Sequence, residues 1–218
     1  TEFPFTLASG RSVDSGDYHA SLDRLLERLD LDGLRAEQAK RRENGAVKQL
    51  GVGFSTYHEM CGLAPSRILG AIRYAAGGWE QATIRCLPTG SVQVITGTWA
   101  QIVADQLGCD IDEVEVLHGD TAISHNGLDT YGSRSLPVGG VALCYAADKV
   151  IEKARQIVAH QWEVSPDDLD YASGTFAVKG SPDKETTLKA VAWAAFAAHD
   201  LPDGMEPGLE ATAVYDPP

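Results

Sequence analysis

The stretch EQATIRCLPTGSVQVITG, residues 80–97, decides the fold class of this chain. Apolar and polar residues alternate on both sides of Pro88-Thr89-Gly90, which is the pattern of two antiparallel strands joined by a tight turn. The next segment, TWAQIVADQLG, predicts a short helix that Gly108 ends, and DEVEVLHGD predicts a further strand. Strands and helices therefore share this part of the chain.

The flanking segments repeat this mixture. A long amphipathic helix is predicted from Leu136 to residue 160, because apolar residues recur there at helical spacing. Its stripe consists of Leu143, Ala147, Val150, Ile151, Ala154, Ile157 and Val158. A second hairpin over 165–181, a helix capped by Thr187 and a strand over 208–215 complete the C-terminal part.

The N-terminal part predicts two helices. Asp17 is placed to cap the first of them, and the second ends at Asn44-Gly45. One face of the first helix carries Leu22, Leu25, Leu26 and Leu29. KQLGVGFSTYHE, residues 48–59, predicts a buried strand. Since no strand–helix–strand rhythm is apparent, the predicted fold class is α+β, with mixed or antiparallel hairpins packed against amphipathic helices.

The length of 218 residues suffices for one large domain or two small ones. Two organisations stay open: a single unit over 1–218, or two α+β subdomains with a boundary near residues 160–185. The chain starts without Met and ends at ATAVYDPP without a closing element. We therefore expect it to be a piece of a longer subunit.

Composition excludes several function classes. A net charge of −13 argues against nucleic acid as a partner, because that would require a basic surface. The one basic cluster, residues 40–48, is expected to complement the dipole of a helix C-terminus. No apolar segment is long enough to span a membrane, and no signal peptide is recognisable. Four scattered cysteines without a CxxC pair predict reduced thiols and a cytoplasmic protein.

The segment GDTAISHNGLDTYGSRSLPVGG, residues 119–140, is the strongest candidate site. Ser135 stands where a helix N-cap is expected, and Pro137 falls in the first turn, where its missing N–H costs little. A helix N-terminus binds anions readily, and Ser133, Arg134 and Ser135 add donors and charge beside it. The alternative interpretation is a well-capped helix that packs through small residues.

Other chemistry is weakly supported. His118 and His125 have no carboxylate or cysteine at ligand spacing, so no metal site is predicted. His58 and Glu59 are adjacent, and they are the only residues on which a stand-alone enzyme could be argued. Neither a nucleophile elbow nor a phosphate-binding P-loop is present.

Three stretches carry a resemblance to a known family: SGDYHASLDRLLE (15–27), HGDTAISHNGLDTYGSRS (118–135) and GMEPGLEATAVYDPP (204–218). Through them the chain resembles the middle of the large subunit of the molybdenum hydroxylases. This group comprises xanthine oxidase, aldehyde oxidase and aerobic carbon monoxide dehydrogenase. The bacterial carbon monoxide dehydrogenase large chains are the most similar branch.

The resemblance implies a molybdenum–molybdopterin cofactor, in the cytosine dinucleotide form usual in bacteria. It implies oxidation or hydroxylation of a small substrate, such as CO, an aldehyde or an N-heterocycle, with water as the oxygen source. The implied partners are the rest of the large subunit, an iron–sulfur small subunit and an FAD-binding medium subunit. The loop that touches the pterin and its phosphates corresponds to Thr130, Tyr131, Gly132, Ser133, Arg134 and Ser135.

The chain departs from the family pattern in ways that limit its activity. The active-site loops would lie upstream of Thr1, and the glutamate base would lie downstream of Pro218. We therefore assign no catalytic residue and expect the fragment to be inactive alone. A Gln-Gly-Gln-Gly-His-type cofactor loop is missing near Gly97: it is either deleted or omitted, and omission is favoured because a cofactor can be what orders such a loop. A non-catalytic anion-binding or assembly module is the alternative function.

Overall fold

The structure is a computed structural model that describes residues 2–8, 10, 12–59, 61–95, 99–123, 126–128 and 130–218. The chain divides into two compact units, Thr1–Tyr57 and His58–Pro218. Within the described residues, no helix is both long and apolar enough to cross a membrane.

The first unit contains a short antiparallel strand pair and two helices: β1 (Phe5–Thr6), β2 (Ser12–Val13), α1 (Tyr18–Leu29) and α2 (Leu31–Glu43). The predicted cap of α1 is confirmed, since the Asp17 carboxylate accepts a hydrogen bond from the Ala20 N–H at 2.9 Å. Helix α2 ends at Glu43 with Asn44 as its C-cap, and Lys40, Arg41 and Arg42 lie in its last turn, where positive charge complements the helix dipole.

The leucine face predicted for the first helix lies on α1. Leu22 is 43%, Leu25 50% and Leu29 37% exposed, and Leu26 is half-buried. The helical spacing of these residues was therefore predicted correctly.

The strand predicted over 48–59 is wrong, because the structure shows neither strand nor helix in these residues. A strand requires a partner for its backbone groups, and the Leu50 carbonyl instead accepts a hydrogen bond from the Gln38 side chain at 2.8 Å. The apolar residues of this segment, punctuated by Gly51 and Gly53, resemble a buried strand in the sequence alone.

The second unit holds four helices and seven strands among its described residues. In chain order they are α3 (Ser66–Ala71), β3 (Glu80–Cys86), β4 (Val92–Ile95), α4 (Ala100–Leu107), β5 (Val114–Leu117), α5 (Val141–Trp162), β6 (Leu169–Ala172), β7 (Thr175–Val178), β8 (Ser181–Thr187), α6 (Leu188–Ala197) and β9 (Leu209–Tyr215). The main sheet has the order β5-β4-β3-β9. The predicted hairpin forms its centre, with Thr83 opposite Ile95 and Cys86 opposite Val92.

One connection differs from the sequence-based expectation. Strands β4 and β5 are parallel, with Val92 opposite Val114, so β4, α4 and β5 form one strand–helix–strand crossover. The remaining pairs in both sheets are antiparallel. The α+β class is therefore confirmed, with a single parallel pair within it.

Helix α5 covers one face of the main sheet and forms the core with it. The predicted stripe is buried except for Ile151, which is half-buried. Leu143 and Ile157 are 0% exposed, and burying each side chain of this size stabilises the fold by about 1.5–3 kcal/mol.

The C-terminal elements return to this core. The predicted hairpin over 165–181 is confirmed as β6 and β7, and β8 extends it to three antiparallel strands. The Thr187 hydroxyl caps α6 by accepting from the Ala190 N–H. The boundary considered near residues 160–185 falls inside the second unit, because α6 and β9, which follow it, pack on α5, which precedes it.

Candidate anion-binding site

The loop at residues 130–135 leads into a π-helix, Ser135–Gly140, which continues as α5. Two successive residues of this loop adopt the left-handed backbone region, Gly132 with φ +57° and Ser133 with φ +49°. Glycine adopts this region freely, whereas for serine it costs about 1–2 kcal/mol. Surrounding contacts must therefore hold Ser133 in place.

Those contacts come from the segment just before α3. The Gly62 N–H donates to the Ser133 carbonyl at 3.1 Å, and the Leu63 N–H donates to the Gly132 carbonyl at 3.2 Å. A Cβ on Gly62 would lie 3.4 Å from the ring of Pro137, so the segment also lies against the helix start. The strained turn is thereby fixed by backbone hydrogen bonds.

The helix start differs in detail from the prediction. Arg134 occupies the N-cap position without a side-chain cap, and the hydroxyl of Ser135 instead lies 2.5 Å from that of Thr130. Pro137 lacks an N–H, which removes one donor from the first turn and favours the wider π-helical turn. The expectation that Ser135 is the N-cap is therefore wrong.

The first turn of this helix carries backbone donors from which no described residue accepts. Within the described chain, the N–H groups of Ser135 and Leu136 make no backbone or side-chain hydrogen bond. Leu136 is 53% exposed, and Ser133 is exposed beside it. Unpaired N–H groups, hydroxyls and the positive end of a helix dipole together suit an anion.

Arg134 does not face this opening. Its side chain is fully buried, and its Nη1 donates to the Glu80 carboxylate at 2.7 Å. Its Nη2 donates to the carbonyls of Gly78 and Trp79, both at 2.8 Å, and its Nε donates to the Leu63 carbonyl at 3.3 Å. The sequence predicted a positive charge at the exposed helix start, but the guanidinium of Arg134 is buried inside the unit.

Glu80 is the site residue that sequence reasoning missed. It stands at the first position of β3, where its side chain is 10% exposed. Besides Arg134, its carboxylate accepts from the Leu128 N–H at 3.3 Å, and a Cβ on Gly127 would lie 1.8 Å from it. The only sequence feature that marks Glu80 is a carboxylate on the first residue of an apolar strand. This feature does not show which residue pairs with the carboxylate.

Tyr131 and Glu59 complete the surroundings. The Tyr131 ring lies 6.2 Å from that of Tyr74. The Tyr131 hydroxyl has no hydrogen bond of good geometry in the described chain. The nearby side chain of Tyr74 is the largest cause that raises the pKa of Tyr131, and burial is the second. The Ser133 hydroxyl donates to the Glu59 carboxylate at 2.9 Å.

The donor set fits an anion and does not fit a metal ion. Within the described residues, no group of three or more His, Cys, Asp or Glu side chains could hold a metal. His118 is exposed, and His125 and the junction at Gly97 lie outside the described residues. All four cysteines are free, as expected, although Cys61 is exposed and only Cys86 is fully buried.

Comparison with known proteins identifies what this geometry resembles. Residues 24–218 match the family model of the molybdopterin cofactor-binding domain. The carbon monoxide dehydrogenase large chain of Hydrogenophaga pseudoflava is 41% identical over 228 residues, covering 100% of this chain and 28% of that protein. Its counterpart from Afipia carboxidovorans is 38% identical, again covering 100% of this chain and 28% of the relative.

Solved structures agree with the sequence matches. The Cu,Mo-CO dehydrogenase in its carbon monoxide reduced state has a TM-score of 0.67 and 36% identity, covering 99% of this chain and 28% of that one. Quinoline 2-oxidoreductase from Pseudomonas putida 86 has a TM-score of 0.63 and 33% identity, with the same coverage. The chain thus spans just over a quarter of the length of these relatives.

Proposed function

Because this chain belongs to the molybdopterin cofactor-binding domain family, we propose that the loop at residues 130–135 binds the anionic part of that cofactor. The observation that carries the proposal is the open helix start, where the N–H groups of Ser135 and Leu136 lie beside exposed Ser133. Phosphate groups bind at such helix ends because backbone donors and the dipole act together.

The chemistry of the donors matches a pyrophosphate linked to a pterin. Ser133, Ser135 and Thr130 bring hydroxyls, and the backbone brings N–H groups. The aromatic ring of Tyr131 offers an apolar surface to a planar group. When bound, the molybdenum cofactor supplies two-electron oxidation with water as the oxygen source, and we propose its cytosine dinucleotide form here.

We propose that the intact subunit is a molybdenum-dependent oxidoreductase acting on a small substrate such as CO, an aldehyde or an N-heterocycle. Carbon monoxide dehydrogenase supports the first of these, and the Paenarthrobacter nicotinovorans nicotine 6-hydroxylase large subunit, 29% identical over 226 residues, supports the last. We assign no catalytic residue to this fragment, which is inactive alone. Its partners in the cytoplasm are the remainder of the large subunit, an iron–sulfur subunit and an FAD-binding subunit.

The alternative is a non-catalytic module that binds anions or assists assembly, and one observation favours the assembly role. The Ser133 hydroxyl already donates to the Glu59 carboxylate, and the negative charge of this carboxylate repels a phosphate. If this interaction is permanent, the loop serves only as a structural connection. The experiment below distinguishes the two functions.

The test replaces both hydroxyls in the complete large subunit, produced with its partner subunits. Ser133→Ala/Ser135→Ala removes two donors, so molybdenum and cytosine nucleotide per subunit should fall. The control is Ser173→Ala/Ser91→Ala, outside the loop. Ser173 matches Ser133, because its φ is +47°, and Ser91 matches Ser135, because its hydroxyl lies 2.8 Å from that of a threonine, Thr89. Full cofactor content in the first variant would favour the module.

A further inference from the structure

We propose that Arg134 is a positioning residue, which holds the 130–135 loop from inside through Glu80 and leaves the cofactor contacts to its neighbours. The inference rests on the proposed function of the loop as a cofactor site. It differs from the expectation that a lone arginine beside a helix start meets the phosphates directly.

Most N–H groups of the Arg134 guanidinium donate to protein acceptors. Arginine has five N–H groups in a planar fork. At least four are used: one on Glu80, two on the carbonyls at the entry to β3, and one on Leu63. Because the side chain is 0% exposed, no part of it reaches the solvent-facing side of the loop.

The acceptors belong to separate segments that the loop must join. Leu63 lies in the segment whose N–H groups bind the Gly132 and Ser133 carbonyls. Gly78 lies against the entry to α3, since a Cβ there would be 2.9 Å from three backbone atoms of residues 64–66. Glu80 also accepts from the N–H of Leu128, two residues before the loop begins.

The backbone of Arg134 transmits this anchoring to the surface. Its carbonyl accepts from the Val138 N–H at 3.0 Å, which fixes the first turn of the helix. Ser133, which precedes Arg134, is exposed, and Ser135, which follows it, is half-buried. The left-handed conformation of Ser133 is held by the N–H groups of Gly62 and Leu63, and the Leu63 carbonyl in turn accepts from the Arg134 side chain.

Lysine cannot replace Arg134 in this role. Its ammonium carries three donors without a fixed plane, whereas the four acceptors surround a planar fork. A direct phosphate contact, in contrast, tolerates lysine, because lysine binds phosphate as a point charge.

The experiment uses the complete large subunit assembled with its partners, in the variants Arg134→Gln, Arg134→Lys, Glu80→Gln and the double Arg134→Gln/Glu80→Gln. Two quantities are measured: molybdenum per subunit, and hydrogen exchange of peptides covering 61–66, 126–136 and, for reference, 175–187. The matched control is Arg85→Gln, which removes an exposed arginine–glutamate pair, Arg85–Glu210, from the same strand.

Positioning predicts that all four variants exchange at least ~10-fold faster in peptides 61–66 and 126–136, with peptide 175–187 unchanged. Molybdenum content should fall in each of them, and the double variant should be no worse than the worse single variant, since both residues act as one unit. Arg85→Gln should match the wild type in both measurements. If Arg134→Gln does not fold, Glu80→Gln and Glu80→Asp carry the test.

Two results would overturn the inference. In the first, Glu80→Gln has wild-type hydrogen exchange and full molybdenum content. In the second, Arg134→Lys has wild-type exchange and full molybdenum content, whereas Arg134→Gln contains no molybdenum. The first result would mean that the Glu80 charge does not hold the loop, and the second would make the positive charge at position 134 a direct cofactor contact. A different result would contradict the proposed function itself. That result is full molybdenum content in Ser133→Ala/Ser135→Ala, and it does not depend on the exchange rates of the Arg134 and Glu80 variants.

Discussion

The Ser133 hydroxyl donates a hydrogen bond to the Glu59 carboxylate at 2.9 Å, and both residues are exposed. A negative charge therefore lies on the donor that we propose for an anionic group. Glu59 is exposed, so it can turn away into solvent when an anion arrives. Until it does, it lowers the affinity of the loop for phosphate.

The first prediction follows from this pair. Glu59→Gln in the complete subunit should raise the affinity for the cofactor, or for inorganic pyrophosphate as a probe, by about fivefold. Removing one charge about 4 Å away in water is worth about 1 kcal/mol. Glu115→Gln is the control, because Glu115 likewise accepts from one polar side chain, Gln93, on an exposed surface. An unchanged or weaker affinity would mean that the anion does not approach Ser133.

The second prediction concerns the stability of the buried pair. Arg134→Met leaves the Glu80 carboxylate buried and unpaired, so the free energy of unfolding should fall by about 3–5 kcal/mol. Arg134→Met/Glu80→Met should recover most of that loss, because neither charge remains. Arg85→Met should cost at most about 1 kcal/mol, since its pair with Glu210 is 42% exposed on both sides. Urea denaturation followed by circular dichroism measures all three.

If the double methionine variant is as unstable as the single one, the arginine contributes mainly through its carbonyl contacts and not through its charge.

The third prediction uses the glycine that lies against Glu80. Gly127 has φ +144°, and a Cβ on it would lie 1.8 Å from Oε1 of Glu80, the carboxylate whose other oxygen, Oε2, accepts from Arg134. Gly127→Ala must displace Glu80, so we expect a loss of at least about 2 kcal/mol and lower molybdenum content. Gly119→Ala is the control: its φ is +72°, but a Cβ there meets nothing within 4 Å, so only about 1–2 kcal/mol of backbone strain is expected. Equal losses would show that strain alone explains both variants.

These residues also show what sequence could predict. The hairpin around Pro88-Thr89-Gly90, the stripe of α5 and the caps at Asp17 and Thr187 were predicted because each depends on neighbours within a few positions. The pair of Arg134 and Glu80 joins residues 54 positions apart, and neither periodicity nor a local motif encodes it. The parallel pairing of β4 with β5 was missed for the same reason.

The unusual helix start was predicted more successfully than the direction in which its side chains point. The glycines, hydroxyls and proline of 130–137 signalled an unusual helix start, which the structure contains as a π-helix. The side chain of Arg134 can point either way from such a start, and its direction depends on a carboxylate on another strand. The family resemblance supplied the cofactor, which the physical pattern alone described only as an anion.

The last prediction concerns the buried thiol of Cys86. Burial raises the pKa of Cys86 to about 12, with a smaller contribution from Cys109. The unfolded chain would ionise this thiol near its ordinary pKa of about 8.5, while the folded chain keeps it protonated. Its contribution to stability is therefore complete below about pH 8.5 and is lost as pH rises toward 12, by up to about 1.4 kcal/mol per pH unit. Cys86→Ala should reduce the slope of unfolding free energy against pH between about 9 and 11, because the variant lacks the buried thiol.

Burial also predicts a difference in reactivity with a thiol reagent at pH 8: the exposed Cys61 reacts in the folded chain, and Cys86 reacts only after denaturant is added. Rapid labelling of Cys86 in the folded chain would contradict the burial on which the pH dependence depends.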